Sequence, residues 1–540
     1  MTRSREGWAP LAPIVVFVLA FALLPVVLLF AGSVASVGGG SGVATVLSDP
    51  LDRQAISNSL FQGGLSAGLA VALGYPAGLF VGRYSWPGRS LVRSVLLVPF
   101  LLPSLVVVLG VEDLFGGGGL ISSSLPGASF FGSGIPGIVV ANLVFNVPLV
   151  VLLTATGCEV GSRDLEETVA TLGGSPTRAY RDAWGRPTWV GAAAGGLLTF
   201  LFSALSFAPP LLLCGERCYT VEARIWSLDQ VFLDPGGAGV LALAMVGLFL
   251  APTLLYLLLV RGLRPAAGRR PPEPRPIPRN SLAVGFLAVE TVAVLGAVAT
   301  VLAAVLYRTV QPYGGGGPGA AWSALFSSAT STRIGIGIPG ALTNTLLFAG
   351  AAAGIALLLV IPAAYAIGRR AGRGAGLGVL LFVPLLVSPI VLAFSLATFW
   401  RPLLGGEGTV WALVIVSQAV LALPFALQTL SIPLSGLSAG VREAAQSLGA
   451  TRFGAFLDAD LPRVRDGLIT AGLLAFALGL GEFTATFFLV TPRFTTLPVA
   501  LYGLANTRQL PIADAAAGLL LVLSLAIFLV LSAGGRRVEL

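Results

Sequence analysis

The chain has 540 residues, 56% hydrophobic and 10% charged, with a mean hydropathy of +0.91, whereas soluble domains carry about 25% charged residues. That balance excludes an ordinary soluble fold and indicates an integral membrane protein. All 32 basic residues are arginine and there is no Lys or His, which excludes a Schiff-base lysine, a histidine base, a histidine metal site and the lysine of an ATP-binding phosphate loop. Three cysteines, Cys158, Cys214 and Cys218, are too few for a disulfide framework or a four-thiolate zinc site. The sequence therefore presents no catalytic set, no metal site and no cofactor site of its own.

Charge-poor apolar stretches of about 20 residues, the length that crosses a bilayer as a helix, recur along the chain. They predict an all-α membrane protein of about twelve spans, near 11–31, 55–80, 92–111, 135–156, 188–213, 237–260, 282–306, 340–367, 377–399, 409–430, 467–490 and 513–533. The first follows Arg3 and Arg5 like a signal peptide, but its apolar run is longer than such a segment needs, so an uncleaved helix is expected. With the N-terminus inside, most arginines, including Arg83, Arg89, Arg93, Arg369, Arg370 and Arg373, fall in inner segments. That is the asymmetry expected of a chain in the cytoplasmic membrane with both termini cytoplasmic. The stretch RGLRPAAGRRPPEPRPIPRN (Arg261 to Asn280) is too rich in Pro to continue a helix and reads as a cytoplasmic linker. Its charge sets topology and does not call for nucleic acid. The domain reading is a first repeat over 1–260, a linker over 261–280 and a second repeat over 281–540.

The halves align on themselves. Asn58, Pro76, Ala77, Gly82, Arg83 and Pro103 recur 286 residues later as Asn344, Pro362, Ala363, Gly368, Arg369 and Pro389. Beyond the third span the offset is 276: Pro148, Glu167, Gly173, Gly196, Phe200 and Phe207 recur as Pro424, Glu443, Gly449, Gly472, Phe476 and Phe483. Six spans per half, an even number, make the two repeats parallel about an axis along the membrane normal, with a solute pathway expected between them.

Two inner loops carry their own helix signals. In LSAGVREAAQSLGATRFGAFLDADLP (Leu437 to Pro462), Ser438 can cap a short helix, Gly449 can end it in the left-handed conformation, and Thr451 can cap a second. SRDLEETVATLGGSPTRAYRDAWGRP (Ser162 to Pro187) repeats the pattern, with Asp164 and Glu167 at capping-box spacing, Gly173 as the stop, and Ser175 before Pro176 as cap and first helical position.

Glu443, Ala444, Ala445, Gly449, Leu461 and Pro462 stand at the spacing of the EAA motif of ABC importer permeases, and the chain resembles fused, two-permease members of that family throughout. The resemblance implies that the first short helix of each loop is a coupling helix that docks on a cytosolic ATPase. It carries over to Glu443, Ala444, Ala445 and Gly449 in the second loop, and to Glu167 and Gly173 in the first. The first loop departs from the motif with Thr168 and Val169 for the alanines and Gly185, Arg186 and Pro187 where Leu-Pro is expected. The implied partners are two copies of the ATPase, which would hold ATP and magnesium, an extracytoplasmic solute-binding protein, the lipid bilayer and a small solute. Among importers the chain is most similar to the thiamine and ferric-iron type. LVFNVP (Leu143 to Pro148), SFAPPLLLCGERCYTVEARIW (Ser206 to Trp226) and FTTLPVALY (Phe494 to Tyr502) resemble thiamine permeases, with ferric iron as the alternative solute.

A charge at the bilayer centre costs about 2.5 to 3.5 kcal/mol on insertion scales, so Glu482 in GLGEF either faces a cationic solute or is hydrogen-bonded to helix backbone. Its counterpart in the first half is Ser206, and both precede a phenylalanine, Phe207 or Phe483. Asn146 beside Pro148 either turns toward the pathway or bonds between helices. These five residues are the candidate pathway. Glu290, in span seven, is read as a packing or interfacial group, and Cys214 with Cys218 as either a local bridge or two free thiols. Two sets of six helices with an inner linker also describe an ion-gradient-driven carrier. Such a carrier does not need paired EAA-type loops, and no span end carries the cluster a membrane enzyme would require.

Overall fold

The computed structural model describes residues 9–215, 218–261, 263, 272–278, 281–368, 387–405, 409–435 and 444–535. Within them the protein is helical apart from one two-residue parallel bridge, Tyr84–Ser85 with Arg275–Pro276. The elements used below are α1 (Ala12–Ser36), α2 (Pro50–Arg83), α3 (Arg89–Val95), α4 (Ser104–Phe115), α5 (Gly134–Val160), α6 (Arg163–Thr171), α7 (Arg186–Ala204), α8 (Ala208–Leu213), α9 (Val221–Gln230), α10 (Pro235–Arg261) and α11 (Leu282–Thr309). They continue with α12 (Ile338–Gly368), α13 (Pro389–Leu404), α14 (Val410–Ser435), α15 (Leu461–Gly481), α16 (Thr484–Leu489), α17 (Leu497–Asn506) and α18 (Leu510–Gly535).

Among the described residues ten helices are long and apolar enough to cross a membrane. The two other expected spans differ. Residues 92–111 are divided into α3, a single turn at Val98–Leu101 and α4, because Pro99 and Pro103 interrupt the backbone ladder where a continuous helix needs donors. Of 377–399, the described part is the shorter apolar helix α13. Spans five and eleven are also not continuous: α7 stops at Ala204 before α8, and α15 stops at Gly481 before α16.

The described residues form two compact units, one over 36–321 and one combining 1–35 with 322–540. The packing units thus differ from the sequence repeats by an exchange of first helices. In the unit of residues 36–321, α2, α5 and α7 form the central trio and α11 packs on α2 and α4. Close approach of α2 to α5 depends on Gly74, Gly78 and Gly82, where an added Cβ would stand 2.7, 2.5 and 2.8 Å from atoms of Val150, Thr154 and Ala155. This is the small-residue ridge by which membrane helices gain van der Waals contact. In the other unit α12, α14 and α15 form the matching trio. There α1 packs on α12 and α14, and its Ala20 carbonyl accepts from the Trp400 indole of α13 at 3.2 Å.

Candidate functional site

The first loop is built from short-range capping. Ser162, rather than Asp164, caps α6: its Oγ accepts from the Leu165 amide at 3.3 Å. The chain enters the helix two residues earlier than a capping box on Asp164 requires, which leaves Asp164 as an acidic first-turn residue. Gly173 takes φ +77° and ends α6, its amide donating to the Ala170 carbonyl (3.1 Å) and that of Gly174 to Val169 (2.9 Å). Ser175 then caps the helix Pro176–Tyr180, accepting from the Arg178 amide at 3.3 Å. A π turn over Arg181–Gly185 leads into α7.

The second loop repeats this design where it is described. Residues 444–447 are helical, Gly449 takes φ +94°, and the amides of Gly449 and Ala450 donate to Gln446 and Ala445, each at 3.0 Å. Thr451 accepts from the Gly454 amide at 3.0 Å, and a π turn over Phe456–Asp460 leads into α15. Glu443 and Ser438 lie outside the described residues. Ala444 is exposed and Ala445 half-buried, as are their counterparts Thr168 and Val169. Leu172 and Leu448, immediately before the two stop glycines, are 82% and 89% exposed. Leaving so large an apolar side chain in water on a well-capped loop forgoes about 1.5–3 kcal/mol of burial, which makes each tip a ready contact.

Glu167 points outward and pairs with Arg163 at 2.9 Å, both more than two-fifths exposed. Its neighbour Glu166, which sequence reasoning passed over, is the buried one. One oxygen of its carboxylate accepts from Arg83 and, at 3.0 Å, from Arg275, and the other accepts from the Trp184 indole at 2.6 Å. The Arg83 guanidinium also lies over the Tyr180 and Trp184 rings, 5.3 and 5.4 Å from their centroids. The signal in the sequence is the pair of adjacent acids, of which a helix can expose only one on a given face.

The helix breaks gather amide, hydroxyl and carboxylate groups from neighbouring helices. In the first half the Gln62 amide donates to the Ser203 carbonyl, and Asn142 donates to Gln62 at 2.8 Å. Asn146 donates to the Asn142 carbonyl at 2.8 Å and to the Ser203 hydroxyl at 3.3 Å. Asn146 Oδ1 and Ser206 Oγ are buried there with no hydrogen-bond partner among the described residues. In the second half the Glu482 carboxylate accepts from the amides of Ala485 (2.7 Å) and Thr486 (2.9 Å) and from the Thr486 hydroxyl. Both its oxygens therefore serve to start α16, the hydrogen-bonded alternative for this acid. Gln418, the counterpart of Asn142 at the 276 offset, donates to Thr486 at 3.3 Å. Phe207 packs on Trp226 with centroids 6.4 Å apart, and Phe483 packs on Tyr502, the residue matching Trp226, at 5.6 Å. Gln62, Asn142 and Gln418 escape composition-based reading because single amides do not lower a span's hydropathy; for Asn142 and Gln418 the usable signal is an amide at the same place in both repeats, whereas Gln62 is matched by Phe348.

The joints beyond the breaks repeat atom for atom. Asn58 donates to the Tyr219 carbonyl at 3.0 Å and Ser59 accepts from the Val221 amide at 2.9 Å. Asn344 donates to the Thr495 carbonyl at 3.0 Å and Thr345 accepts from the Leu497 amide at 2.8 Å. Cys214 and Cys218 are paired, with Cα atoms 5.6 Å apart. In α11 the Glu290 carboxylate has no hydrogen-bond partner among the described residues.

A membrane chain with paired, identically terminated loops feeding two interrupted spans has counterparts among known proteins. Residues 74–266 match the family of binding-protein-dependent transport system inner membrane components. That stretch contains the first loop and the first helix break. The whole chain is similar to the thiamine transport system permease protein ThiP of Brucella abortus (strain 2308), with 28% identity covering 91% of this chain and 90% of that one. ThiP of Escherichia coli (strain K12) is 26% identical, covering 89% of each chain. Over a shorter stretch, 27% of this chain and 54% of the other, it is 32% identical to the spermidine/putrescine transport system permease protein PotC of Escherichia coli (strain K12). It is a multi-pass membrane protein resembling fused, two-permease ABC importer subunits.

Proposed function

We propose that this chain is the permease subunit of a binding-protein-dependent ABC importer of the cytoplasmic membrane and that its solute is thiamine. The observation that carries the reading is the pair of capped loops with the same stop at Gly173 and Gly449, each leading into a span, beginning at Arg186 or Leu461, that breaks at a polar residue. Similarity over about nine tenths of the chain to permeases named for thiamine supports the choice of solute. Both termini and both loops face the cytoplasm in this reading, as the arginine distribution favours. ATP and magnesium bind to two copies of a partner ATPase, because a chain without lysine has no phosphate-loop lysine.

Transport proceeds by alternating access. An external binding protein delivers solute, the ATPases close on the loops around Glu167–Gly173 and Glu443–Gly449, and the change is passed to the spans that the loops adjoin. A partner that bound both states equally would shift nothing, so the loops must meet the ATPase differently in each. The interrupted spans, with α5 beside the first break, supply the pathway groups: Asn146 of α5 and Ser206 offer polar atoms, Phe207 and Phe483 offer ring faces, and Glu482 sets the break from which α16 begins. Discontinuous helices are where membrane transporters place unsatisfied backbone and polar groups for a solute.

Uptake of labelled thiamine by cells with and without this chain, with and without ATP depletion, tests the reading. Loss of ATP-dependent uptake on deletion is the expected result; unchanged uptake overturns thiamine as the solute and brings ferric iron forward as the next solute to assay. The Gly449→Pro chain should insert normally yet fail both to import and to retain the ATPase. Normal uptake by that chain would end the assignment of the second loop to coupling.

A further inference from the structure

The linker between the repeats ends in an unexpected place. Of the nine residues of α6 only Glu166 is buried, so its carboxylate is the deepest tie between this loop helix and the rest of its unit. Three elements hold that carboxylate: Arg83 at the end of α2, Trp184 in the π turn before α7, and Arg275 in the linker. The parallel bridge that pairs Tyr84 with Arg275 and Ser85 with Pro276 sets the linker's register, so that Arg275 reaches Glu166 beside Arg83. The Glu166 side chain is 9% exposed and those of Arg83 and Arg275 are 14% and 31% exposed. Two guanidinium groups on one oxygen and an indole on the other give charge-assisted bonds of the strong kind.

We propose that the linker is a working part of the first coupling loop: Arg275 and Arg83 share Glu166 and thereby hold α6 at the angle from which it meets its ATPase. Arg275 and Glu166 are positioning residues. This rests on the importer reading above, and it adds a dependence on the linker that the second loop does not share. At the matching second-half positions the sequence has Arg442 for Glu166 and Asp460 for Trp184, so the carboxylate and the indole of this cluster are both missing there. In a fused chain the connection between repeats would then do more than tether, because it would set one docking element and leave the other alone.

Two measurements on the full chain in membranes test it. With its ATPase and binding protein in proteoliposomes, Arg275→Ala should cut thiamine uptake about tenfold, the change that loss of one charged hydrogen bond makes in an equilibrium, and should raise the ATP consumed per solute imported. Arg275→Lys, which keeps the charge, should recover part of the loss. Glu166→Gln with Arg275→Ala should be no worse than Glu166→Gln alone, since both act through one carboxylate. Wild-type uptake and stoichiometry in Arg275→Ala, or an additive double variant, would overturn the proposal. The second measurement needs no solute: a chain carrying Ser85→Cys and Pro276→Cys should cross-link these two positions readily under mild oxidation, and several-fold more slowly when Glu166→Gln is added. Equal rates would show that Glu166 does not hold the linker, whatever the unaltered chain is found to import.

Discussion

The two halves solve the same joint with different chemistry. In the first, Asp52 of α2 accepts from Arg224 of α9 at 2.6 Å, with side chains 4% and 7% exposed. The same positions in the second carry Ile338 and Ala500, both buried. What surrounds them is shared: the Ser59 and Thr345 hydroxyls catch the Val221 and Leu497 amides, and Phe207 with Trp226 matches Phe483 with Tyr502. Backbone capture and ring packing therefore define the joint, and the ion pair is an option within it. Where both versions fold, the pair's worth is set by its cost if broken, because a buried pair exchanged for apolar groups is often close to neutral while a lone buried charge is not.

The largest effect should come from breaking that pair. Arg224→Ala leaves Asp52, which is 3% exposed, without its main partner and should cost about 3–5 kcal/mol, read as a fall in the unfolding temperature of the purified chain in detergent. Installing the second-half solution, Asp52→Ile with Arg224→Ala, should recover most of the loss. A double variant as unstable as the single would mean that the first half needs the charges for more than the joint.

Next are the two loop stops. Gly173 and Gly449 sit at φ +77° and +94° with open space around them, so alanine meets no clash and only the backbone penalty of about 1–2 kcal/mol applies. Gly173→Ala and Gly449→Ala should weaken uptake and ATPase association, with similar strain in each loop. Unequal losses would measure how far the two loops differ in use, since the backbone cost is the same in both.

Much of this was legible in the residues, and the part that was not has a physical reason. The helical class, the two offsets, the stops at Gly173 and Gly449 and the caps at Ser175 and Thr451 follow from local rules, because an amide three residues away decides a cap. The breaks after Ala204 and Gly481 are harder to read: an apolar run reads as one span whether or not its backbone turns in the middle, glycines such as Gly479 and Gly481 can mean an opened helix or close packing, and proline is an uneven signal, since Pro99 and Pro103 stand at interruptions while Pro76 and Pro148 lie inside continuous helices. The exchange of first helices between packing units was hidden as well, because an apolar face does not name its partner. Glu166 was overlooked in favour of Glu167 for the same kind of reason. Motif spacing identifies a position, whereas burial depends on which side of α6 meets Arg83 and Trp184, a tertiary fact.

A smaller effect tests the shared joint itself. Ser59→Ala and Thr345→Ala each remove the acceptor of one buried backbone amide and should cost about 1 kcal/mol apiece, near-equal shifts in thermal unfolding despite the different chemistry next door. If Ser59→Ala proved much the milder, the Asp52–Arg224 pair would be holding the first joint closed without the hydroxyl, and the order of importance argued above would be reversed.

The smallest expected change in stability is at Glu167. Its pair with Arg163 is one turn of exposed helix, 57% and 43% accessible, and such pairs contribute about 0.3–0.5 kcal/mol. Glu167→Gln should therefore leave unfolding of the chain almost unmoved. It occupies the position of Glu443 in the repeat, so a marked loss of uptake with unchanged stability would place its carboxylate at the ATPase interface. If neither changes, the first loop docks through its backbone and the exposed Leu172, and the acid at this position matters only in the second half. The contrast is sharp because Glu166, one residue away and buried, should do the opposite and disturb the placement of α6 as a whole.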